Sequence, residues 1–124
     1  MGCTSAGGEP DGGTMYPTVV EDSNGNQIVI NYLSGVGVNW NNSSSRISII
    51  EDARAQACSY GYGYCSYYFA YASNPNGPPY LSSITNYVDS HENYSFTINQ
   101  GEPLYAPDGT SFSTAGELAS VTTC

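Results

Sequence analysis

His91 is the one histidine of the chain, and it lies in the segment Asp89-Ser-His-Glu-Asn beside two carboxylates. An imidazole between a carboxylate and a hydroxyl is the arrangement that serine hydrolases use. The sequence lacks the Gly-x-Ser-x-Gly turn that presents the nucleophile in one large class of them. One imidazole with two arginines, Arg46 and Arg54, also matches poorly the acid–base chemistry of small microbial ribonucleases. We therefore predict that the protein is not an enzyme and that His91 belongs to a solvated turn.

The charge of the chain excludes several further kinds of chemistry. Its 124 residues include no lysine and carry a formal net charge of −9. Without lysine the chain can form no Schiff base and cannot hold a phosphate as P-loop proteins do. Nucleic acid and anionic lipid are bound mainly by cationic side chains, so both would be repelled. We expect no nucleic-acid partner, no cofactor and, because no apolar run approaches ~20 residues, no transmembrane segment.

The residue types that bind metals do not form a recognisable site. The four cysteines have no Cys-x-x-Cys spacing, and a blue-copper site needs two histidines. Residues 22–26, Asp-Ser-Asn-Gly-Asn, match the first three ligand positions of an EF-hand loop. Its sixth position is Gln27 instead of glycine and its twelfth is Leu33 instead of glutamate. The sequence predicts no metal centre, and an Asn-Gly hairpin explains residues 22–26 better.

The cysteines predict disulfides. Cys3, Cys58, Cys65 and Cys124 form an even set in a small acidic chain, which favours an oxidising compartment and an extracellular or cell-surface location. We expect one local bridge, Cys58–Cys65, and one bridge that ties the ends, Cys3–Cys124. In the chain-entropy model the second would stabilise the fold by about 4–5 kcal/mol. Two alternatives remain: the terminal cysteines link neighbouring copies, or Cys3 carries a lipid anchor with residues 4–13 as its tether.

The segment 58–71, CSYGYGYCSYYFAY, concentrates seven aromatic rings around one cysteine pair. Its first three tyrosines alternate with glycines, so a bridged tip would expose them, and exposed apolar patches usually mark contact sites. The rings after Cys65 alternate between the two faces of a strand and are candidates for the core. Exposed rings would contact copies of the protein or stack on a glycan. The candidate binding or interface residues are Tyr60, Tyr62, Tyr64, Tyr67, Tyr71 and Trp40.

Three asparagines are possible glycosylation sites. Asn41, Asn42 and Asn93 each begin an Asn-x-Ser pattern, which in a secreted protein marks an acceptor on a surface loop. Chance matches are frequent in a chain this rich in asparagine and serine.

The elements that must position these residues are mostly strands. We divide the chain into a Gly/Pro-rich N-terminal arm, residues 1–16, and a single β domain, residues 17–124. Within the domain, residues 17–22 and 27–33 flank Asn24-Gly25, which predicts a hairpin with a type I′ turn. In the expected register, Val20 lies opposite Val29 and Val19 lies opposite Ile30.

Further strand signals follow at turn-punctuated spacing. A Ser-x-x-Glu capping box at Ser48 predicts one short helix over 50–57, and residues 106–109, Ala-Pro-Asp-Gly, predict a β-turn. Strands are expected at Val36–Trp40, 46–50, 80–88 and 94–98 and in the aromatic run beyond Cys65, with a strand or short helix at 116–123. About eight short strands indicate a mainly β fold, an antiparallel sandwich or barrel with one helix, stapled by disulfides. Because Leu, Ile, Val and Phe are few, we expect tyrosine to build much of the interior.

These observations favour a non-catalytic extracellular structural subunit that self-assembles into a filament, coat or surface layer. Tyr-rich contacts would join the copies, and the N-terminal arm could pair along a neighbour's sheet edge. One alternative is a carbohydrate-binding module with a tyrosine platform. Another is a surface protein anchored by a lipid on Cys3.

Overall fold

The computed structural model describes residues 2–52, 66–75, 79–86, 92–101, 103–113 and 116–123. Within these ranges the regular structure is β-strand, and no helix occurs. The strands are β1 (Gly2–Thr4), β2 (Met15–Pro17), β3 (Val19–Glu21), β4 (Gln27–Tyr32), β5 (Ile47–Asp52), β6 (Ser66–Ala72), β7 (Tyr80–Asn86), β8 (Asn93–Asn99), β9 (Leu104–Tyr105), β10 (Ser111–Ser113) and β11 (Glu117–Thr123). The predicted mainly β class is confirmed.

One large sheet and two small ones contain all of these strands. The large sheet has the order β11-β8-β7-β6-β5-β4-β3, while β1 pairs with β2 and β9 pairs with β10. Strands that follow one another in sequence are mostly neighbours, as expected where hairpins join them, and the pairing is antiparallel. Within the described residues the order is linear, with β3 and β11 at its ends.

The predicted helix over 50–57 is wrong where the structure describes it, because β5 occupies its first residues. Ile49 and Ile50 are β-branched and lie between two partner strands, with Ile30 opposite Ile50 on one side and Tyr68 opposite Ile49 on the other. Cross-strand packing on both sides outweighs a capping box, whose local hydrogen bonds are worth about 1 kcal/mol. Residues 53–57 lie outside the described part of the chain.

The predicted hairpin between residues 17 and 33 is confirmed, but its register is one residue away from the expected one. Val19 lies opposite Val29, and Val20 lies opposite Ile28. A shift of one residue changes which side chains are cross-strand partners on each face. Val20 and Ile28 therefore form an exposed apolar pair.

The turn chemistry explains this shift. Asp22 N donates to Asn26 O at 3.0 Å, which makes the connection longer than a two-residue turn. The Asp22 carboxylate accepts from the backbone N–H groups of Asn24 (2.8 Å) and Asn26 (2.9 Å), as aspartate does in Asx turns. A type I′ turn needs positive φ at two central residues, but here Gly25 has it (81°) and Asn24 does not.

Two compact units divide the chain. The N-terminal unit comprises Met1–Tyr68 and Asn86–His91, and it holds β1 to β5 with the start of β6. The C-terminal unit comprises Phe69–Thr85 and Glu92–Cys124, and it holds most of β7 with β8 to β11.

The buried apolar residues lie in the N-terminal unit. Among the described residues they are Cys3 and Tyr32. The β1–β2 pair sets Cys3 opposite Tyr16, and the Tyr16 and Tyr32 ring centroids are 5.9 Å apart with a tilt of 43°. Tyrosine thus contributes to the interior as predicted, but Tyr32 is the one described tyrosine that is buried.

Cys3 is a free thiol, so the expected bridge Cys3–Cys124 is not made. Its side chain is enclosed in the small core beside Tyr16 and Tyr32 instead. Cys58, Cys65 and Cys124 lie outside the described residues.

The Gly/Pro-rich arm folds back onto its own chain. Ser5 N donates to Thr14 O at 2.9 Å and Gly13 N to Ser5 O at 3.0 Å, so residues 5–14 close a compact loop between β1 and β2. Ala6 N donates to Ser43 O at 2.8 Å and fastens this loop to residues of the N-terminal unit. The order of the arm therefore has an explanation inside one chain.

The C-terminal unit confirms several sequence predictions. β7 and β8 cover most of the strands expected at 80–88 and 94–98, with 87–88 outside the described residues. Residues 106–109 form the predicted turn between β9 and β10: Gly109 N donates to Ala106 O at 2.9 Å, and Gly109 has φ 85°. β11 shows that the segment at 116–123 is a strand and not a helix.

Candidate functional site

A buried ion pair organises the N-terminal unit. The side chain of Glu9 is 2% exposed and that of Arg46 is 23% exposed. Arg46 Nη2 donates to Glu9 Oε1 at 2.8 Å and Nη1 donates to Oε2 at 3.2 Å, a two-pronged contact. Val36 N also donates to Glu9 Oε1 at 2.8 Å, and Arg46 Nη2 donates to Ser34 O at 3.1 Å. The pair thus joins the arm to the segment after β4.

Two buried serines hold the loop between β4 and β5, residues 33–46, which we call the Trp40 loop. The Ser43 hydroxyl donates to Trp40 O at 2.7 Å and accepts from Gly35 N at 2.8 Å. The Ser44 hydroxyl donates to Leu33 O at 3.0 Å. Both serines are fully buried. Buried hydroxyls are tolerated when hydrogen-bonded, and here they fix the path of the loop from inside.

The predicted strand Val36–Trp40 is wrong, because these residues belong to this loop. Val38 N donates to Gly35 O at 3.3 Å in a turn, and Gly37 has φ 78°. A Cβ at position 35 would lie 2.2 Å from Ser43 O. The two sides of the loop therefore pack so closely that position 35 requires glycine. The tip of the loop is instead exposed, with Trp40 at 64% and Val36 similar.

A hydrogen-bonded tyrosine and aspartate lie beside this core. Tyr16 donates to Asp11 Oδ2 at 2.5 Å, and Ser5 donates to the same oxygen at 3.2 Å. The bond from Tyr16 is the main reason why the pKa of Asp11 lies below its usual value. The same bond, with burial, raises the pKa of Tyr16. Both shifts favour the carboxylate with a neutral phenol at neutral pH.

Tyr32 completes the core with its own hydrogen bond. Its hydroxyl donates to Pro17 O at 2.8 Å. Burial raises the pKa of Tyr32, because the phenolate is poorly solvated in the core. These ionisable groups are bonded to one another or to the backbone within the N-terminal unit.

In the C-terminal unit, β8 and β11 place apolar residues on one face of the sheet. Ile98 lies opposite Leu118 and Phe96 opposite Val121. A bulge between Leu118 and Ser120 adds one residue to β11, so Leu118 and Val121 share a face although they are three positions apart. We call Phe96, Ile98, Leu118 and Val121 the apolar face of the C-terminal unit.

The other face of the same strands is polar. Thr97 lies opposite Ser120 and Ser95 opposite Thr122, and the hydroxyls of Thr97 and Ser120 are 2.7 Å apart. The sheet of this unit therefore has one apolar and one hydroxyl-bearing surface.

β11 is exposed along its whole length. All seven residues are solvent-accessible, and Leu118 and Val121 are its exposed apolar side chains. Among the described strands β11 pairs with β8 alone, so its second edge offers backbone N–H and C=O groups to solvent. We refer to this strand with its open edge as the β11 edge.

Comparison with known proteins adds no relative. No protein-family model matches the sequence, and neither a curated protein nor a solved structure matches it. The two exposed features, the Trp40 loop and the β11 edge, are therefore interpreted from their own geometry.

The described ranges were compared with the side-chain groupings of metal sites and with the helix length of a membrane span. No three side chains of His, Cys, Asp or Glu there are grouped so that they could hold a metal ion. None of the described segments is a helix of the length and apolarity needed to cross a membrane.

The predicted contact residues that the structure describes lie on two elements, the Trp40 loop and β6. Trp40 is exposed on its loop, Tyr67 is 42% exposed on β6 and Tyr71 is half-buried on the same strand. The register places Tyr67 opposite Ile50 and Tyr68 opposite Ile49, so these two rings point to opposite faces as predicted. Tyr60, Tyr62 and Tyr64 lie outside the described residues, as does His91.

The three asparagines of the Asn-x-Ser patterns lie in different surroundings. Asn41 is exposed. Asn42 has φ 59° and its Oδ1 accepts from Tyr32 N at 2.7 Å, so its amide is part of the loop. Asn93 is half-buried at the start of β8.

Sequence reasoning missed the residues that hold the Trp40 loop. Ser43 and Ser44 stand in a polar run that reads as a solvated turn, and a hydroxyl gives no sign that it is buried. An ion pair of Arg46 could have been predicted, because the chain has two cationic side chains and eleven acidic ones. That its partner would be Glu9, 37 positions away, cannot be read from spacing.

Proposed function

We propose that this chain is a non-catalytic extracellular structural subunit that assembles with copies of itself, and that the β11 edge is a contact. The observation that carries the proposal is the full exposure of β11 with its apolar side chains. An exposed strand edge is a template for pairing with another chain. Contiguous apolar surface beside that edge favours burial against a partner.

The β11 edge has few of the features that keep a sheet edge soluble. Natural edges are guarded by lysine, proline, inward charges or bulges. β11 contains no lysine or proline, and its charged residue, Glu117, stands at its beginning. Its bulge lies between Leu118 and Ser120, which leaves Ser120–Thr123 regular. The edge at β3 is different, because it is three residues long, ends in Glu21 and follows Pro17.

The pairing that fits best is antiparallel and centred on Val121. Residues directly opposite one another lie on the same face, so a two-fold arrangement in which Val121 meets its own copy keeps the two apolar faces together. Ser120 then meets Thr122 of the second copy, and no charges are opposed. The N-terminal arm is a weaker candidate for strand addition, since its backbone is already bonded within the chain.

Val121→Lys tests this arrangement. It would place two like charges directly opposite one another across the two-fold axis, which is destabilising. The matched control is Val20→Lys: Val20 and Val121 are both 50% exposed on an end strand of the sheet, and each change adds the same charge. Sedimentation velocity over a concentration series, in reducing and non-reducing buffer, measures association.

We expect the unmodified chain and Val20→Lys to associate, and Val121→Lys to do so about tenfold more weakly. Association should strengthen with added salt, because a net charge of −9 opposes the meeting of copies and salt screens it. A chain that stays monomeric at every concentration would contradict the proposal. Equal association constants for the two lysine variants would show that the contact does not involve β11.

The surroundings of Cys3 weigh against the lipid anchor. Its thiol is buried opposite Tyr16 in β1. A lipid attached there would have to leave the small core with the strand that carries it. Mass spectrometry of native material tests this alternative, since a diacylglyceryl mass on Cys3 would restore it.

A further inference from the structure

The indole of Trp40 is the largest exposed ring in the N-terminal unit, and the chain contains no other tryptophan. An exposed tryptophan leaves much apolar area in water, about 25 cal/mol for each Å² that a ligand could cover. The bonds that hold its backbone come from residues of the N-terminal unit.

Buried polar groups hold the backbone of this tryptophan. Its carbonyl accepts from the buried Ser43 hydroxyl at 2.7 Å. Two residues further along the chain from Trp40, Asn42 takes φ 59°, and its amide oxygen accepts from Tyr32 N at 2.7 Å. Asparagine is enriched in this left-handed conformation because its short side chain bonds locally. The ring is thus presented from a backbone that is fixed on its C-terminal side.

The opposite side of the loop is fixed as well. Gly35 packs so closely on Ser43 O that no larger residue fits, and Val36 N is bound by the buried Glu9 carboxylate at 2.8 Å. A loop ordered before binding loses little entropy on binding, so a modest contact area can give measurable affinity. The Trp40 loop has the rigidity of a preformed recognition element.

The chemistry around the ring selects the ligand. Asn39 and Asn41, on either side of Trp40, are exposed carboxamides that can donate and accept hydrogen bonds. Arg46, at the base of the loop, is bound to Glu9 and cannot attract an anion, and the net charge of −9 repels one. A protein partner would be expected to find more apolar residues beside the anchor than two amides.

We propose that the Trp40 loop binds a neutral carbohydrate. The negative face of the indole attracts the polarised C–H groups on one face of a sugar ring. The amides of Asn39 and Asn41 are placed in sequence to bond hydroxyls at the rim of the same ring. This inference does not depend on self-assembly.

The single tryptophan makes the test direct, because its fluorescence reports this loop alone when tyrosine is not excited. The probes are hexasaccharides of β-1,4-glucose, α-1,4-glucose, β-1,4-xylose, β-1,4-N-acetylglucosamine and β-1,3-glucose, with hexagalacturonate as the anionic comparison. The titrations use the unmodified chain at the lowest concentration that gives a measurable signal. Calorimetry measures the affinity of each sugar that changes the fluorescence.

We expect saturable binding of at least one neutral hexasaccharide and none of hexagalacturonate. Trp40→Ala should weaken it about tenfold or more, while Trp40→Tyr retains part of it. The matched control is Tyr105→Ala, since Tyr105 is 61% exposed but lies in the C-terminal unit; it should bind as the parent does. Unchanged far-ultraviolet circular dichroism shows that each variant is folded. No response to any neutral sugar, equal loss in both alanine variants, or preference for the anionic one would overturn the proposal.

Discussion

The two units of the chain are stabilised in different ways. In the N-terminal unit, side chains such as Glu9, Ser43 and Arg46 make hydrogen bonds in buried or partly buried positions. In the C-terminal unit, several side-chain bonds are exposed, for example the one between Thr97 and Ser120. The N-terminal unit therefore contains a buried ion pair and buried hydroxyls, whereas the C-terminal unit exposes the apolar side chains Leu118 and Val121.

The difference has a physical consequence for function. A buried, fully bonded polar network fixes one arrangement, because breaking any member leaves its partners unsatisfied. A sheet with an open edge and an exposed apolar face gains stability when a partner pairs with the edge and buries the face. The two proposals accordingly place recognition by a rigid loop in the N-terminal unit and association between copies in the C-terminal unit.

The largest expected effect comes from Glu9→Ala. Its removal leaves the guanidinium of Arg46 without its carboxylate and Val36 N without an acceptor. Losing one partner of a buried pair costs about 3–5 kcal/mol, and the partial exposure of Arg46 places the expected loss at about 3 kcal/mol. Urea unfolding measures the change in the free energy of unfolding.

Glu117→Ala is the matched control for this change, since it removes a glutamate from the exposed strand β11. Its contact with Asn99 Nδ2 is 3.5 Å long and exposed, so we expect a loss below about 0.5 kcal/mol. Similar losses for the two alanine variants would mean that the two units are not stabilised differently.

A smaller effect is expected from Tyr32→Phe, which removes the donor to Pro17 O. Loss of one such hydrogen bond costs about 1 kcal/mol at neutral pH. The variant should also change the alkaline limb of stability. Burial raises the pKa of Tyr32 above its ordinary value of 10.0. Its contribution to the free energy of unfolding is therefore fully present below pH 10 and is lost as the pH rises above that value.

Tyr16 acts in the same direction, because its pKa is raised mainly by its bond to Asp11. Stability followed between pH 8 and 12 should therefore fall less steeply in Tyr32→Phe than in the parent, and less steeply still in Tyr16→Phe/Tyr32→Phe. An unchanged slope in the double variant would show that these phenols do not govern alkaline unfolding.

The two units also differ in how much of their structure can be predicted from the sequence. Alternation and turn residues locate β7, β8 and the turn at 106–109, because these elements depend on local patterns. The hairpin around Asn24-Gly25 is predicted correctly, but its register is not. The Asp22 side chain accepts backbone hydrogen bonds that stabilise a longer turn than the Asn-Gly pair alone predicts.

The conformation of the Trp40 loop could not be predicted from the sequence, because contacts with residues distant in the chain determine it. Val36, Val38 and Trp40 alternate as a strand would, yet the loop bends where Glu9 and the buried serines bind its backbone. β5 likewise replaces the expected helix because its isoleucines meet partners on both sides. Tertiary contacts override local propensity in both places.

The smallest expected effect concerns the hydroxyl pair of Thr97 and Ser120. The pair is exposed, and its 2.7 Å bond exchanges with bonds to water. A double-mutant cycle of Thr97→Val and Ser120→Ala should give a coupling of about 0.5 kcal/mol or less. Ser43→Ala is the comparison, because it removes a buried hydroxyl that bonds Trp40 O and Gly35 N, and we expect a loss of about 2 kcal/mol. If Ser120→Ala alone cost as much as Ser43→Ala, the polar face of the C-terminal unit would be as essential as the buried network, and the contrast between the units would have to be abandoned.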